Sequence, residues 1–291
     1  MKRPIIIFGT GRSGSTLFAQ IMSCADEVVY PSQITSKLPR LLFLSRLYLR
    51  FSKTRIFGRL ARRMIRISEA YPFWNSICPE FVEPKEDMTE ELAKALDIER
   101  IRGAMEKLAI RSESRLLFKI TGWPRMGFLR EVFPDAIYVH VIRDGRAVSN
   151  SLIKSNFWDG HLGPDKWRLG RLPEKQRTIY ENSDKSQIAL AGVYWNTLME
   201  RAMYDIEKYS PELLEIRYEE LCREPIKFTR EAFAFCGLKW DKRKVDELNS
   251  MNIRSMNAKW QKVLSKRQID TLESVTGEVN EQLGYSGGSR T

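Results

Sequence analysis

The chain has 291 residues, of which 43% are hydrophobic and 29% charged, a composition typical of a globular protein with a large buried core. The sequence contains no apolar run near the roughly 18–20 residues of a membrane span, and its N-terminus lacks the apolar stretch and cleavage site of a secretory signal peptide. The four cysteines are scattered without C-x-x-C spacing, which favours reduced thiols and a cytoplasmic protein over a disulfide framework.

The net charge of +11 is concentrated in one segment of the sequence. Between Val28 and Ser68 there are ten Lys or Arg residues and no Asp or Glu, whereas the remainder of the chain is nearly balanced in charge. A segment with this bias is expected to meet a partner of opposite charge.

Residues 4–24 read PIIIFGTGRSGSTLFAQIMSC and predict a buried strand, a glycine-rich turn and a helix in succession. In this arrangement the glycines let the backbone approach an anion, and the helix N-terminus supplies unpaired N–H groups. Gly14 and Thr16 fit the phosphate-binding pattern G-x-x-x-x-G-K-[ST], but Ser15 occupies the position of the lysine that reaches the β- and γ-phosphates. The loop therefore predicts phosphate binding without ATP or GTP hydrolysis, with Arg12 as the source of positive charge.

The next part of the chain is predicted to contain a short strand at 27–30, two basic helices within 36–68, a loop over 71–88 and one helix over 89–111 with Thr89 as its N-cap. The first basic helix, LPRLLFLSRLYLRF, has apolar residues around most of its circumference and arginines between them. This pattern is expected of a helix that is wedged in protein or touches lipid or an apolar ligand. The alternative is a lid helix packed on the body with its arginines in water.

After residue 114, apolar strands alternate with helices. The predicted strands cover 115–120, 136–142 and 213–218. The predicted helices cover 124–132, 145–154, 183–209, 219–236, 241–250 and 264–283. Residues 155–183 are rich in turn residues and are predicted to have few core positions. The alternation predicts an α/β fold in which helices flank a parallel β-sheet on both faces.

Four polar residues lie at or just past the carboxyl ends of predicted strands, namely Arg12, Lys119, Arg143 and Tyr218. The carboxyl ends of parallel strands meet at one edge of a sheet, and ligands of such sheets bind there. These four side chains are therefore expected to share one crevice.

A second anion site is predicted at the helix that follows Arg143. Asp144 can cap this helix, and Ser151 lies seven residues later on the same helix face. Arg143 and Ser151 can therefore bind one anion. Together with the glycine-rich loop, they suggest a ligand that carries phosphate at both its 5′ and 3′ positions.

With these motifs, the sequence resembles the P-loop sulfotransferases that use 3′-phosphoadenylyl sulfate (PAPS), in the form of their Golgi-type, tyrosylprotein and bacterial members. GRSGST is similar to the 5′-phosphosulfate loop of the family, and FPDAIYVHVIRDGRAVSNSL is similar to its 3′-phosphate motif. IRYEEL and NAKW resemble the stretches that approach the adenine and close over the nucleotide. The resemblance covers about residues 4–285.

The resemblance implies a P-loop nucleoside-triphosphate-hydrolase-like sulfotransferase fold, as one domain over 1–285 with helical lid insertions at about 31–114 and 155–183 and a flexible tail at 286–291. It implies in-line transfer of a sulfuryl group from PAPS to an acceptor hydroxyl without a metal, leaving adenosine 3′,5′-bisphosphate. Arg12 would neutralise the leaving phosphate, and Lys119 would approach the sulfuryl group. The residues implied to bind the nucleotide are Arg12, Ser13, Gly14, Ser15, Thr16, Arg143, Ser151, Tyr218, Lys259 and Trp260.

The general base is not identified by the resemblance. Gln33 stands where many relatives carry Glu, and Thr121 stands where the cytosolic branch carries His. His161, beside Asp159 in the long turn-rich segment, is the base candidate, because His140 is predicted to be packed inside a core strand. The other candidates for the base are the carboxylates of Glu69, Glu80 and Glu83.

Three other functions compete with sulfuryl transfer. A P-loop small-molecule kinase would bind ATP with Mg²⁺, but it needs a lysine at Ser15. A nucleotide-binding protein without turnover would keep the pocket and lack the base, in agreement with Gln33. A nucleic-acid binder would fit the net charge, but the basic segment is interleaved with Leu more than with stacking aromatic residues.

The expected acceptor is a small molecule, lipid or glycan, and the basic helices at 36–68 favour one that is hydrophobic, acidic or membrane-associated. The protein is expected to be cytoplasmic, either free or at a membrane surface through these helices. The sequence leaves the acceptor's identity and the oligomeric state open.

Overall fold

A computed structural model of the chain describes residues 2–54, 57–82, 86–167 and 169–285, so the predicted tail at 286–291 lies outside the described residues. Within these ranges the strands are β1 Ile5–Gly9, β2 Val28–Val29, β3 Arg115–Thr121, β4 Ile137–Ile142 and β5 Leu213–Arg217. They form one sheet in the order β2-β3-β1-β4-β5, and every pairing in it is parallel. The prediction of a parallel α/β fold is confirmed.

Helices surround this sheet. Those before β3 are α1 Ser15–Met22, α2 Gln33–Lys37, α3 Leu42–Ser52, α4 Gly58–Met64, α5 Tyr71–Ile77, α6 Glu90–Lys94 and α7 Ile98–Glu106. Those after β3 are α8 Met126–Val132, α9 Gly145–Leu152, α10 Glu174–Glu181, α11 Gln187–Tyr209, α12 Tyr218–Arg223, α13 Pro225–Phe235, α14 Lys242–Asn249, α15 Lys259–Val263 and α16 Lys266–Gln282.

Alternate residues of β1 pack on opposite faces of the sheet. Ile5 and Ile7 belong to one buried cluster, which includes Phe18 of α1, whereas Ile6 and Phe8 belong to a second cluster on the other face. Each of these four strand residues is at most 2% exposed, and the burial of each side chain contributes about 1.5–3 kcal/mol. Burial on both faces explains the continuous apolar run and fixes the glycine-rich loop at the carboxyl edge of the sheet.

His140 is a packed residue of β4, as the sequence predicts. It is 1% exposed, and its ring stacks on Phe8 with centroids 4.5 Å apart and planes inclined by 3°. Its Nδ1 lies 3.6 Å from the carboxylate of Glu215 on the neighbouring strand. His140 therefore supports the sheet and is remote from solvent.

The region between residues 71 and 111 is more finely divided than predicted. The predicted loop contains α5 and a short 3₁₀-helix at Pro79–Phe81, because Pro72 lies in the first turn of α5, where no N–H is needed, and Phe73 and Trp74 are buried. The predicted single helix is two helices, α6 and α7. The Asp97 carboxylate accepts a hydrogen bond from the Arg100 backbone N–H at 3.0 Å and thereby caps the second one.

Two predictions about the C-terminal half were wrong. Residues 155–183 contain α10 and four buried apolar residues, namely Trp158, Trp167, Leu169 and Leu172, so this segment forms a core of its own against α11. The predicted helix at 219–236 is divided into α12 and α13, and Pro225 begins the second because a proline inside a helix would remove a hydrogen bond.

Candidate active site

The glycine-rich loop places the start of α1 at the carboxyl edge of the sheet. Gly14 is the N-cap residue with φ of 94°, and the first turn of α1 has neither a side-chain cap nor an acidic residue. Ser15 and Thr16 in that turn line a cavity of about 480 Å³, called the first cavity here. Its wall therefore includes uncapped helix N–H groups, which favour an anion.

Gly14 is required both by its backbone conformation and by its neighbour. A Cβ atom at this position would lie 2.3 Å from Cδ2 of Tyr218, and φ of 94° is strained for a residue with a side chain. The Tyr218 ring in turn lies under the Arg143 guanidinium, 4.2 Å from its centroid to Cζ. Gly14, Tyr218 and Arg143 thus form one packed stack in the wall of the first cavity.

Gly14→Ala is expected to lower the free energy of unfolding by about 1–3 kcal/mol, because a strained conformation is added to a steric clash. Urea unfolding followed by tryptophan fluorescence measures the change. Gly103→Ala in α7 is the matched control: no atom lies within 4 Å of its added Cβ, and the helix should become slightly more stable. Equal stability of Gly14→Ala and the unmodified protein would contradict this loop conformation.

Arg143 presents a buried cation to the first cavity. Its Nε donates to Oδ1 of Asn257 at 3.1 Å, and its Nη1 donates to the Arg12 backbone carbonyl at 3.0 Å. Burial lowers the pKa of the guanidinium below its usual value. Since both hydrogen-bond partners are neutral oxygens, an anion in the cavity would supply the compensating charge.

The two predicted anion sites meet in the first cavity. Arg12 Nε donates to the Ser151 hydroxyl at 2.9 Å, which links the glycine-rich loop to the far end of α9. Asp144 caps α9 through the Arg146 backbone N–H at 2.8 Å. Arg12, Arg143 and Ser151 all line the cavity, together with Lys259.

Lys119 lies near the carboxyl end of β3, between the loop and a carboxylate. Its Nζ is 3.1 Å from the Thr16 hydroxyl and 2.5 Å from Oε1 of Glu69. The same Glu69 oxygen accepts a hydrogen bond from the Thr121 hydroxyl at 2.8 Å. The side chains of Lys119 and Glu69 are 7% and 18% exposed, so the pair is largely shielded from solvent.

Glu69 reaches this position because the chain folds back on itself. Residues 66–68 run antiparallel to residues 31–33: Ser32 and Ile67 form an isolated bridge, and the Ser68 backbone N–H donates to the Pro31 carbonyl at 2.9 Å. Gln33 is exposed and its side chain accepts from the Arg66 backbone N–H at 3.3 Å. The backbone pairing thus brings a carboxylate to the site from a strand-like segment beside the one that carries Gln33.

A second cavity of about 560 Å³ adjoins the first. Glu69, Lys119, Thr121 and Thr16 line both cavities. The wall of the second cavity is rich in aromatic side chains, contributed by Tyr71, Trp123, Phe157, Trp158 and Tyr194. Burial, and then the nearby Glu69 carboxylate, raise the pKa of the Tyr71 phenol well above its usual value, so Tyr71 remains a hydrogen-bond donor, here to the Thr121 carbonyl at 3.1 Å.

Other candidate residues lie outside the walls of these two cavities. Trp260 is 4% exposed and packs against the Arg146 guanidinium at 4.9 Å, and the buried Ser13 hydroxyl has no hydrogen-bond partner within the described ranges. His161 is exposed, with Nδ1 3.2 Å from the Trp158 carbonyl. Glu80 contacts the Cys78 thiol at 3.6 Å. Glu83 lies outside the described residues.

The sequence interpretation missed Asn150 and Lys154, which also line the first cavity. The Lys154 ammonium donates to the Asn150 side-chain carbonyl at 2.8 Å. Their spacing from Ala147 and Ser151 is the i, i+3, i+4, i+7 spacing of one helix face, so this face could have been identified from the sequence. In the described part of the chain, no group of three or more His, Cys, Asp or Glu side chains is arranged to hold a metal ion.

Comparison with known proteins points to one family. A family model described as "Sulfotransferase family" matches residues 4–242. A curated protein of Aquifex aeolicus (strain VF5), called an uncharacterized protein, is 24% identical over 249 residues, which is 83% of this chain and 26% of that protein. The chain thus spans about a quarter of the length of this curated relative.

Solved structures share the fold over almost the whole chain. A sulfotransferase domain from the curacin biosynthetic pathway superposes with a TM-score of 0.57 at 15% identity, covering 99% of both chains. Sulfotransferase STF9 from Mycobacterium avium superposes with a TM-score of 0.60 at 15% identity, covering 99% of this chain and 79% of the other. These likenesses concern the fold, which is that of sulfotransferases.

Proposed function

Since this chain belongs to the sulfotransferase family, we propose that it transfers a sulfuryl group from PAPS to the hydroxyl of an apolar acceptor. One observation carries the proposal: the Lys119–Glu69 pair lies where two cavities meet. In-line transfer requires a donor and an acceptor on opposite sides of the transferred group. Two adjoining cavities with a cation and a carboxylate at their junction fit that requirement.

The donor set of the first cavity fits a nucleotide that is phosphorylated twice. The Thr16 hydroxyl, the Arg12 side chain and the N–H groups at the start of α1 suit the 5′ group. Arg143 and Ser151 suit a 3′-phosphate, and the hydrogen bond from Arg12 to Ser151 joins the two sets of donors. PAPS supplies the sulfuryl group together with a leaving phosphate, and Arg12 would stabilise the charge that develops on it.

Glu69 is the base that we assign to the reaction. Its carboxylate lines the acceptor side as well as the donor side, where it can accept the proton of an acceptor hydroxyl. Lys119, held between Thr16 and Glu69, would stabilise negative charge on the transferred group and orient the carboxylate. The Thr121 hydroxyl donates a hydrogen bond to the same Glu69 oxygen that Lys119 contacts, and this second contact also holds the carboxylate in place.

The aromatic wall of the second cavity supports an apolar acceptor. Trp158 and Tyr194 meet edge to face with centroids 5.7 Å apart, and Trp158 is 4% exposed. These rings form an apolar wall on which a hydrocarbon or ring system can pack, whereas Tyr71 and Thr121 add a few polar contacts near the junction. Hydrophobic alcohols, phenols, and lipids or glycosides with a free hydroxyl therefore form the first acceptor panel.

Calorimetric titration tests the donor half of the proposal. Adenosine 3′,5′-bisphosphate is expected to bind more tightly than ADP with Mg²⁺, because two proposed anion sites line the first cavity and Ser15 stands in place of the lysine of ATP-binding loops. The experiment that follows is transfer of labelled sulfate from PAPS to the acceptor panel. Preference for ADP with Mg²⁺ would favour a kinase instead. Tight binding of the bisphosphate without transfer to any acceptor would favour a nucleotide-binding protein without turnover.

A further inference from the structure

We propose that α3 and α4 form a docking surface for anionic lipid membranes. The surface, called the basic apolar surface here, consists of the exposed side chains of α3 and α4 together with Phe57. This proposal goes beyond the proposed activity, because the residues of the basic apolar surface are separate from those that line the two cavities.

An apolar ridge forms the centre of this surface. Phe43, Leu47 and Phe51 are spaced four residues apart on α3, so they share one helix face, and they are 63%, 63% and 49% exposed. The ring of Phe51 stacks on that of Phe57 with centroids 5.6 Å apart, which extends the ridge toward α4. Of the fourteen large apolar side chains exposed in the described part of the chain, eight lie between Leu38 and Met64. An apolar patch of this kind marks an interaction site.

The opposite face of α3 is fixed to the body of the protein. Ser45, Tyr48, Leu49 and Ser52 are buried, and the Tyr48 hydroxyl contacts the Ile65 carbonyl and the Tyr30 hydroxyl. The exposed ridge therefore lies on a helix whose opposite face is already buried against the protein. The sequence alternative of a lid helix packed on the body with its arginines in water accounts for the buried face and for the exposed arginines, but it does not account for the exposed apolar ridge.

Arginines border the apolar ridge. Arg46 and Arg50 lie one turn apart on α3, and Arg59 and Arg63 lie one turn apart on α4, next to the exposed Leu60 and Met64. All four arginines are exposed, and no carboxylate of the described residues pairs with them. A helical surface with an apolar ridge and adjoining basic rows is typical of elements that lie in the interface of an anionic bilayer.

A small cavity beside α4 adds to the basic character. It has a volume of about 230 Å³ and is lined by Arg59, Arg63 and Arg66, with Arg62 held by Glu247 at 2.7 Å. Arg66 thus joins Arg59 and Arg63 around one concave site, which suits the phosphate of a lipid headgroup. No helix in the described ranges is long and apolar enough to cross a bilayer, so the contact would be peripheral.

A membrane suits this surface better than a second copy of this chain does because of the charge of the surface. The segment from Val28 to Ser68 contains ten basic and no acidic residues, so two copies would repel each other across it. An anionic bilayer offers both an apolar interior for the ridge and a continuous negative surface for the arginines. Each exposed Lys or Arg near such a surface adds to the attraction, and salt weakens it.

Flotation with lipid vesicles tests the proposal without donor or acceptor, so its failure would leave the proposed activity untouched. Vesicles of phosphatidylcholine are compared with vesicles that also contain phosphatidylglycerol. The test variants are Arg46→Glu/Arg50→Glu and Leu47→Glu/Phe51→Glu. The matched controls are Lys227→Glu/Arg230→Glu and Ile226→Glu on α13, where an exposed Ile also lies beside exposed cations. Circular dichroism and thermal unfolding verify that each variant is folded.

The protein is expected to float with the anionic vesicles and to lose binding at high salt. The Arg46/Arg50 variant should lower the partition coefficient by at least about 30-fold, and the Leu47/Phe51 variant by at least about tenfold, whereas both controls stay within about twofold. Absence of flotation, equal loss in the α13 controls, or full binding by the Leu47/Phe51 variant would each overturn the proposal. So would a dimer, seen by light scattering, that the Leu47/Phe51 variant dissociates.

Discussion

Glu69→Gln is expected to lower kcat by about 10²–10⁴-fold while changing the affinity for adenosine 3′,5′-bisphosphate by less than about threefold. Gln keeps the shape of the side chain and an oxygen that can accept hydrogen bonds from Lys119 and Thr121, but it cannot take a proton. Initial rates with saturating PAPS, and calorimetry with the bisphosphate, measure the two effects separately.

Glu90→Gln is the matched control for this experiment. Glu90 also accepts hydrogen bonds from a lysine, Lys208, and from a hydroxyl, that of Tyr209, but it lies on α6, away from both cavities. Its replacement should leave kcat within about twofold. If Glu69→Gln keeps its activity and His161→Ala loses it, the base is His161, and the assignment of Glu69 is wrong.

Arg143→Ala is expected to weaken binding of adenosine 3′,5′-bisphosphate by about 10–150-fold more than binding of adenosine 5′-phosphate, which corresponds to the loss of one charge-assisted interaction of about 1.5–3 kcal/mol. Only the bisphosphate has a group at the 3′ position for this guanidinium. Asn257, the Arg12 carbonyl and the Tyr218 ring already hold Arg143 in place, so little of its interaction energy is spent on ordering the side chain.

Arg12→Ala provides the contrasting variant for the same titrations. Since Arg12 belongs to the loop proposed to hold the 5′ group, its loss should weaken the binding of both nucleotides, and the loss of its hydrogen bond to Ser151 should add only a small further effect for the bisphosphate. Arg143→Lys tests the geometry, because an ammonium cannot reproduce the planar fork of a guanidinium. Equal weakening of both nucleotides by Arg143→Ala would remove Arg143 from the 3′-phosphate site.

Much of the donor half of the candidate site could be predicted from local sequence. β1 is buried on both faces, so its residues form an unbroken apolar run, and a glycine-rich turn follows it directly. Arg12, Lys119, Arg143 and Tyr218 lie at or near the carboxyl ends of strands, and parallel strands bring such positions together whatever the length of the chain between them. The family resemblance implied the same four residues, and the family match over residues 4–242 confirmed the family.

The sequence limited the candidates for the proposed general base to a few residues, but it did not indicate which of them lies beside Lys119. Glu69 is 50 residues from Lys119 in the sequence and carries no local signal that distinguishes it from Glu80 or from His161. The position of Glu69 depends on the antiparallel contact between residues 31–33 and 66–68, which lie on either side of the segment that contains α2, α3 and α4. Backbone hydrogen bonds between two distant segments do not require particular residue types, so they produce no periodic pattern in the sequence of either segment.

The sequence alone determined the parallel α/β fold, the glycine-rich loop, the family and the basic character of residues 36–68, because each of these depends on residue types at short spacing in the chain. The tertiary structure decided which carboxylate meets Lys119, that a second, aromatic cavity adjoins the first, and which face of α3 is exposed. These three properties depend on contacts between segments far apart in the chain, and such contacts are set by how the segments pack around the sheet.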